Sequence, residues 1–174
     1  MLFSKMRFFK KIFHEKLFRT INIHFGSNFS IKQATPFITA DELSKRLTIS
    51  GDSVLLVNFW ATWCKPCVAE LPFIEQFAKV NADKKIKVLL VSLDFKNTID
   101  TRLKSFIQNK GIKSEVVVID QTNADTWMPK IEKRWGGAIP ISLLYTKDKK
   151  VFGNREFESF EDLNTWINTE VTLK

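Results

Sequence analysis

Apolar positions along the chain fall into two kinds of run. Val54 to Trp60 ("VLLVNFW"), Ile86 to Asp94 ("IKVLLVSLD") and Glu115 to Asp120 ("EVVVID") are short and almost unbroken. That is the pattern of strands covered on both faces inside a sheet. Elsewhere the apolar residues return every three or four positions. Val68, Leu71, Ile74, Phe77 and Ala78 predict a helix from Cys64 to about Val80, kinked at Pro72. Ile99, Leu103, Phe106 and Ile107 predict another, closed by Gly111, and Trp127, Ile131 and Trp135 a third. Thr39-Ala-Asp-Glu42 has the form of a capping box, and Ser159-Phe-Glu-Asp162 that of a helix cap. The first opens a short helix with Leu43 and Leu47 on its apolar side, the second a final helix that faces inward through Phe160, Leu163, Trp166 and Ile167.

Between the last two helices, "GGAIPISLLYT" predicts a strand from about Ile139 to Thr146. It begins at Pro140, where a missing ladder donor is tolerated. "KDKK" then turns the chain into a short strand near Val151 and Phe152. Strands alternating with helices, closed by a tight-turned pair, predict an α/β fold with a central mixed β-sheet flanked by helices and antiparallel at one edge. In such a sheet, chemistry is expected at the C-terminal end of a central strand, where it opens onto a helix N-terminus.

Composition narrows the function classes. At 174 residues, 44% hydrophobic and 26% charged, the chain can bury a real core, and two cysteines are too few for a disulfide-built scaffold. The net charge of +8 is concentrated at the start: Lys5, Arg7, Lys10, Lys11, Lys16 and Arg19 stand against Glu15 alone. What remains is too weak and scattered to argue for nucleic acid. Residues 1–25 form a basic segment in which Leu2, Met6, Phe9, Phe13 and Leu17 recur at helical spacing. This suits either peripheral contact with an anionic membrane surface or an accessory helix. Lys10, Lys11, His14, Glu15 and Lys16 interrupt the apolar run that an export signal needs. Residues 26–36 read as a polar linker and residues 37–174 as the folded domain.

Both cysteines lie in "VNFWATWCKPCVAELP", at the junction between the first central strand and the helix after it. They could be a redox pair, half of a metal site or a structural bridge. A helix N-terminus favours the thiolate, the reactive form of cysteine, and Cys64 occupies the strongest part of that field. Cys67 lies one turn further on the same face, close enough to bridge yet deeper, so Cys64 is the expected attacking thiol and Cys67 the resolving one. A zinc site needs four ligands, and the only histidines are His14 and His24 in the basic segment. Haem attachment needs a His where Val68 stands.

Together with the downstream "AIP", this stretch resembles the thioredoxin superfamily, in particular thiol:disulfide oxidoreductases of the TlpA/ResA type. The resemblance spans roughly Ala40 to Ile167. It implies a thioredoxin-like fold, with the inserted helix and strand of the TlpA and peroxiredoxin branch between Phe95 and Ala138. By the same resemblance Cys64 is the nucleophile, Cys67 the resolving cysteine, Pro66 the residue restraining the turn and Pro140 a cis-proline beside the disulfide. Ile139 would offer backbone hydrogen bonds to an extended substrate, and Trp60 and Trp63 resemble aromatics that shield such a site, Trp60 being equally suited to plain core packing.

Thioredoxins carry a buried Asp where this chain has Asn58, and an amide cannot take a proton from the resolving thiol. Glu70 matches an acidic residue of TlpA/ResA-like sequences. Desolvated beside the thiols, it would serve as acid or base near neutral pH; otherwise it is an exposed first-turn glutamate. Pro66 adds no positive charge next to Cys67, so a reducing couple is expected, nearer about −270 mV than about −120 mV.

The implied function is reduction of protein disulfides, with no cofactor beyond the Cys64–Cys67 couple, an oxidised protein as substrate and an upstream thiol reductant as donor. The resemblance favours the extracytoplasmic side of a membrane, while the interrupted head leaves the cytoplasm open. Two other readings compete: a non-catalytic thioredoxin-like binding module, and a thiol peroxidase, whose Pro-x-x-x-Thr-x-x-Cys context "NFWATWC" does not reproduce.

Overall fold

A computed structural model describes residues 35–48 and 53–171. The basic segment 1–25 lies outside the described residues, as does all of the 26–36 linker except its last two positions. Among the described residues six strands form one sheet: β1 (Phe37–Ile38), β2 (Val54–Trp60), β3 (Ile86–Ser92), β4 (Glu115–Ile119), β5 (Ile141–Tyr145) and β6 (Lys150–Gly153). Their spatial order is β1-β4-β3-β2-β5-β6. β2 runs parallel to β3 and antiparallel to β5, so the sheet is mixed about its most central apolar strand. All seven residues of β2 are buried, as its uninterrupted apolar run requires.

Among the described residues five α-helices flank the sheet: α1 (Ala40–Arg46), α2 (Lys65–Val80), α3 (Lys104–Lys110), α4 (Ala124–Ile131) and α5 (Phe160–Glu170). Both predicted helix starts are capped by their hydroxyls. Thr39 accepts from the Glu42 N–H while Glu42 reaches back to the Thr39 N–H, and Ser159 accepts from the Asp162 N–H. α2 continues through Pro72, which lies on its exposed side. α5 packs against α2. Gly111 ends α3 at φ 66, the left-handed conformation that glycine adopts without a Cβ clash.

Alternate residues of β2 meet different partners because successive side chains leave opposite faces of a strand. Asn58 reaches Glu70 on α2, and the Trp60 ring lies 5.5 Å from that of Phe106 on α3. Phe59, on the other face, packs its ring 4.5 Å from that of Trp135. No helix among the described residues is long and apolar enough to cross a membrane.

Two expectations need correction. Trp135 is not on the third predicted helix: α4 stops at Ile131, Glu132 is extended, and Trp135 folds back into the core. The cause is the Glu132 carboxylate, which is buried and held by Arg134 at 2.7 Å and Lys150 of β6 at 3.0 Å. These partners, the Arg134 hydrogen bond foremost, pull its pKa down to about 2. The helix expected from Ile99 is also not uniform. It begins as a wide π turn over Ile99–Leu103 and becomes regular only at Lys104.

Candidate active site

β2 delivers the chain to the sheet's C-terminal edge, where Ala61, Thr62 and Trp63 turn it into α2. The Cys64 N–H closes the turn on the Ala61 carbonyl at 3.1 Å, and the Cys64 carbonyl accepts the first α2 bond, from Val68, at 3.0 Å. Cys64 is thus the N-cap of α2, with its Sγ accepting from the Cys67 N–H at 3.3 Å. Pro66 falls in the first turn of α2, where its missing N–H has no helical partner to lose.

Cys64 and Cys67 are joined as a disulfide, Cα to Cα 5.3 Å. The two sulfurs are not equivalent: Cys64 is 6% exposed and Cys67 0%, so an incoming group meets Cys64 first. Trp63, 50% exposed, stands beside them at the surface, while Trp60 is wholly buried. Cys64 Sγ lies 3.7 Å from the Ile139 carbonyl oxygen, and the Ile139–Pro140 bond is cis. The fold therefore brings Trp63, Cys64, Pro66, Cys67, Ile139 and Pro140 to one edge of the sheet.

Glu70 lies one turn along α2 from Cys67 and is fully buried. Its Oε1 accepts from Asn58 Nδ2 at 2.7 Å, and its Oε2 from the Phe157 N–H at 2.9 Å. Loss of water pushes its pKa up to about 7, against the lowering effect of those two hydrogen bonds. Of these two partners, Phe157 belongs to the segment between β6 and α5, far away in sequence.

Asp94 has a part in the site that the sequence reading missed. This buried carboxylate accepts from the Thr62 N–H at 3.0 Å, from the Thr62 hydroxyl and from Ser92 Oγ at 2.8 Å. Arg102 adds a hydrogen bond to the Thr62 carbonyl at 3.4 Å. The turn carrying Trp63 and Cys64 is thereby fastened to the end of β3. An acid closing an apolar strand beside the expected crevice was the signal that could have found it. Asp94→Ala strands a buried N–H and two hydroxyls, so urea unfolding is expected to show a loss of roughly 2 kcal/mol. Among the described residues, no three His, Cys, Asp or Glu side chains gather into a metal site.

Comparison with known proteins agrees with this geometry. The model of the AhpC/TSA family matches residues 28–153. Thiol-disulfide oxidoreductase ResA of Bacillus thuringiensis (strain Al Hakam) is 34% identical over 124 residues, 69% of this chain and 65% of that protein. The chain thus spans just under two thirds of this relative's length. Among solved structures, a thioredoxin-related protein from Neisseria meningitidis serogroup B superposes with a TM-score of 0.55 at 20% identity, covering 69% of this chain and 86% of its own. A thioredoxin family thiol:disulfide interchange protein from Chlorobium tepidum TLS gives 0.53 at 20% identity, covering 79% and 96%. Both likenesses are of fold. With a cysteine pair capping the helix that follows the central strand, a cis-proline beside it, and a family match over most of its length, the chain belongs to the AhpC/TSA family and has the thioredoxin-like fold.

Proposed function

We propose that the protein is a thiol-disulfide oxidoreductase that reduces disulfides in other proteins through Cys64 and Cys67. The observation that carries this reading is the position of Cys64 Sγ. It is the more exposed sulfur, it receives the Cys67 N–H at a helix N-terminus, and it lies 3.7 Å from the Ile139 carbonyl. A thiolate there is favoured by the helix field, and the backbone at Ile139 offers an extended substrate a hydrogen-bonding edge.

The reaction starts from the dithiol. Cys64 thiolate attacks one sulfur of the substrate disulfide, forms a mixed disulfide and expels the other substrate sulfur as thiolate. Cys67 then loses its proton and attacks Cys64 Sγ, which releases the second substrate thiolate and leaves the Cys64–Cys67 disulfide. Two electrons have passed to the substrate, whose thiolates take up protons. Glu70, adjacent to Cys67 on α2, receives the Cys67 proton; a carboxyl that titrates at about 7 can accept and return it near neutral pH. Trp63 and Pro140 flank the more accessible sulfur as contact surfaces for the substrate chain. The couple needs no further cofactor, and an upstream thiol reductant resets it.

The TlpA/ResA resemblance supports a reaction on the extracytoplasmic side of a membrane, and the basic charge in the sequence of residues 1–25 suits peripheral contact with anionic lipid. The peroxidase alternative finds less support, since Ala61 stands three residues before Cys64 where peroxidatic sites place a threonine.

Equilibration in thiol–disulfide buffers of graded potential, read by mass shift after alkylation, tests the proposal. A reversible midpoint below about −250 mV is expected for a reductase; one between about −120 and −180 mV would mean an oxidase or isomerase. A pair that never exchanges with the buffer would leave only the binding-module reading.

A further inference from the structure

Asn58 is the single amide inside the apolar run of β2, fully buried. Its Nδ2 lies 2.7 Å from Glu70 Oε1, 3.1 Å from Ser142 Oγ on β5 and 3.4 Å from the Ile141 carbonyl. Its Oδ1 has no hydrogen-bond partner. An amide nitrogen carries two protons, so three acceptors crowd two donors while the group's own acceptor is idle. That imbalance is unusual in a core, where buried polar atoms are paired.

The arrangement matches only one protonation state of its neighbour. An ionised Glu70 accepts from Nδ2. A protonated Glu70 needs an acceptor instead, and its Oε2 already takes the Phe157 N–H, so the proton is directed to Oε1, facing Asn58. Half a turn about the Asn58 Cβ–Cγ bond exchanges N and O, groups of nearly equal size, and brings the idle oxygen to Oε1 without repacking the core. The Ser142 hydroxyl can follow, because it accepts from N–H in one arrangement and donates to the oxygen in the other.

We infer that Asn58 is a positioning residue for proton exchange at Glu70: its amide turns over as Glu70 gains or loses a proton, and the Ser142 hydroxyl reverses direction with it. The inference rests on the reading of Glu70 as the proton acceptor for Cys67. It also explains how a chain with an amide where thioredoxins carry an acid still holds a carboxyl in working order. The charged group acting on Glu70 from a neighbouring element is Glu156, before Phe157. Among the described residues, no lysine or arginine hydrogen-bonds to Glu70.

The test is NMR of the full chain labelled with 15N and 13C, in the disulfide form so that the cysteines do not titrate. The Asn58 side-chain amide signals and the Glu70 carboxyl carbon are followed from pH 5 to 9. Coincident midpoints are expected, with the Asn58 signals flat in Glu70→Gln. Asn58→Ala removes both the donor to the ionised form and the acceptor for the protonated one. Because the bond to the charged form is the stronger, the Glu70 midpoint is expected to rise, by up to about one pH unit, a tenfold gain in proton affinity. Asn58 signals that stay flat while Glu70 titrates would overturn the inference, and that measurement needs no variant to fold. The pH profile of mixed-disulfide decay separates the two claims. If Glu70→Gln leaves it unchanged, the catalytic reading of Glu70 falls, while coincident midpoints still establish the Asn58 coupling.

Discussion

Cys64→Ser is expected to bring disulfide exchange down to the uncatalysed rate, a loss on the order of a thousandfold or more, whereas Cys67→Ser should stall after the first step. The asymmetry follows from burial: Cys64 reaches the surface and Cys67 does not. A serine at position 64 is protonated at neutral pH and cannot attack a disulfide. A serine at position 67 leaves the attacking thiol in place at the helix N-terminus but removes the group that releases the substrate. Insulin reduction followed by turbidity reads the first variant. The second is read as a covalent adduct whose mass equals enzyme plus substrate and which collapses on adding a small thiol. Full activity in Cys64→Ser would make the pair a structural bridge and the protein a binding module. A Cys67→Ser variant that turns over at the normal rate would remove Cys67 from the mechanism.

What could be read from the sequence was whatever short-range pattern determines. β2, β3 and β4 were legible because burial on both faces leaves an unbroken apolar run, and α1 and α5 because their caps are spelled out within four residues. The cysteine pair was legible because its spacing, its place after a strand and its helical register all point the same way. β1 was not: two residues carry no period, and Phe37 and Ile38 are strand only because they pair with Val118 and Ile119. Trp135 kept helical spacing with Ile131, yet the ion pairs of Glu132 ended the helix between them. Glu70 was ambiguous for the same reason. Helical register puts it next to Cys67, but whether water reaches it depends on Phe157, a contact across 87 residues. Asn58 offered a better signal than was used: a lone amide in a fully buried strand must find a polar partner, and the acidic residue on the following helix was the nearest candidate.

Folding stability of the disulfide form is expected to fall by about 3 kcal/mol as pH rises from about 4.5 to well above 7, and the fall should be absent in Glu70→Gln. A carboxyl near 4.5 in the unfolded chain and about 7 in the fold binds its proton more tightly when folded. Its contribution is fully present below the unfolded value and is lost as pH climbs through the folded one, because ionisation then happens in a site that disfavours charge. Glu132 acts in the opposite sense: held at about 2, it stabilises the fold above about 4.5 and loses that contribution only as pH falls towards 2. The two windows do not overlap, so urea unfolding at pH 5, 7 and 9 isolates Glu70. Glutamine keeps the shape and an acceptor for the Phe157 N–H but carries no charge, so at pH 9 the variant should be the more stable protein, by up to about 3 kcal/mol. A wild-type protein equally stable at pH 5 and pH 9 would mean that Glu70 ionises without penalty, and it would then have no special fitness to exchange protons near neutrality. The predicted gain also measures what a buried carboxyl does to the fold here: its ionised form weakens the protein at neutral and alkaline pH, which a glutamine of the same shape would not.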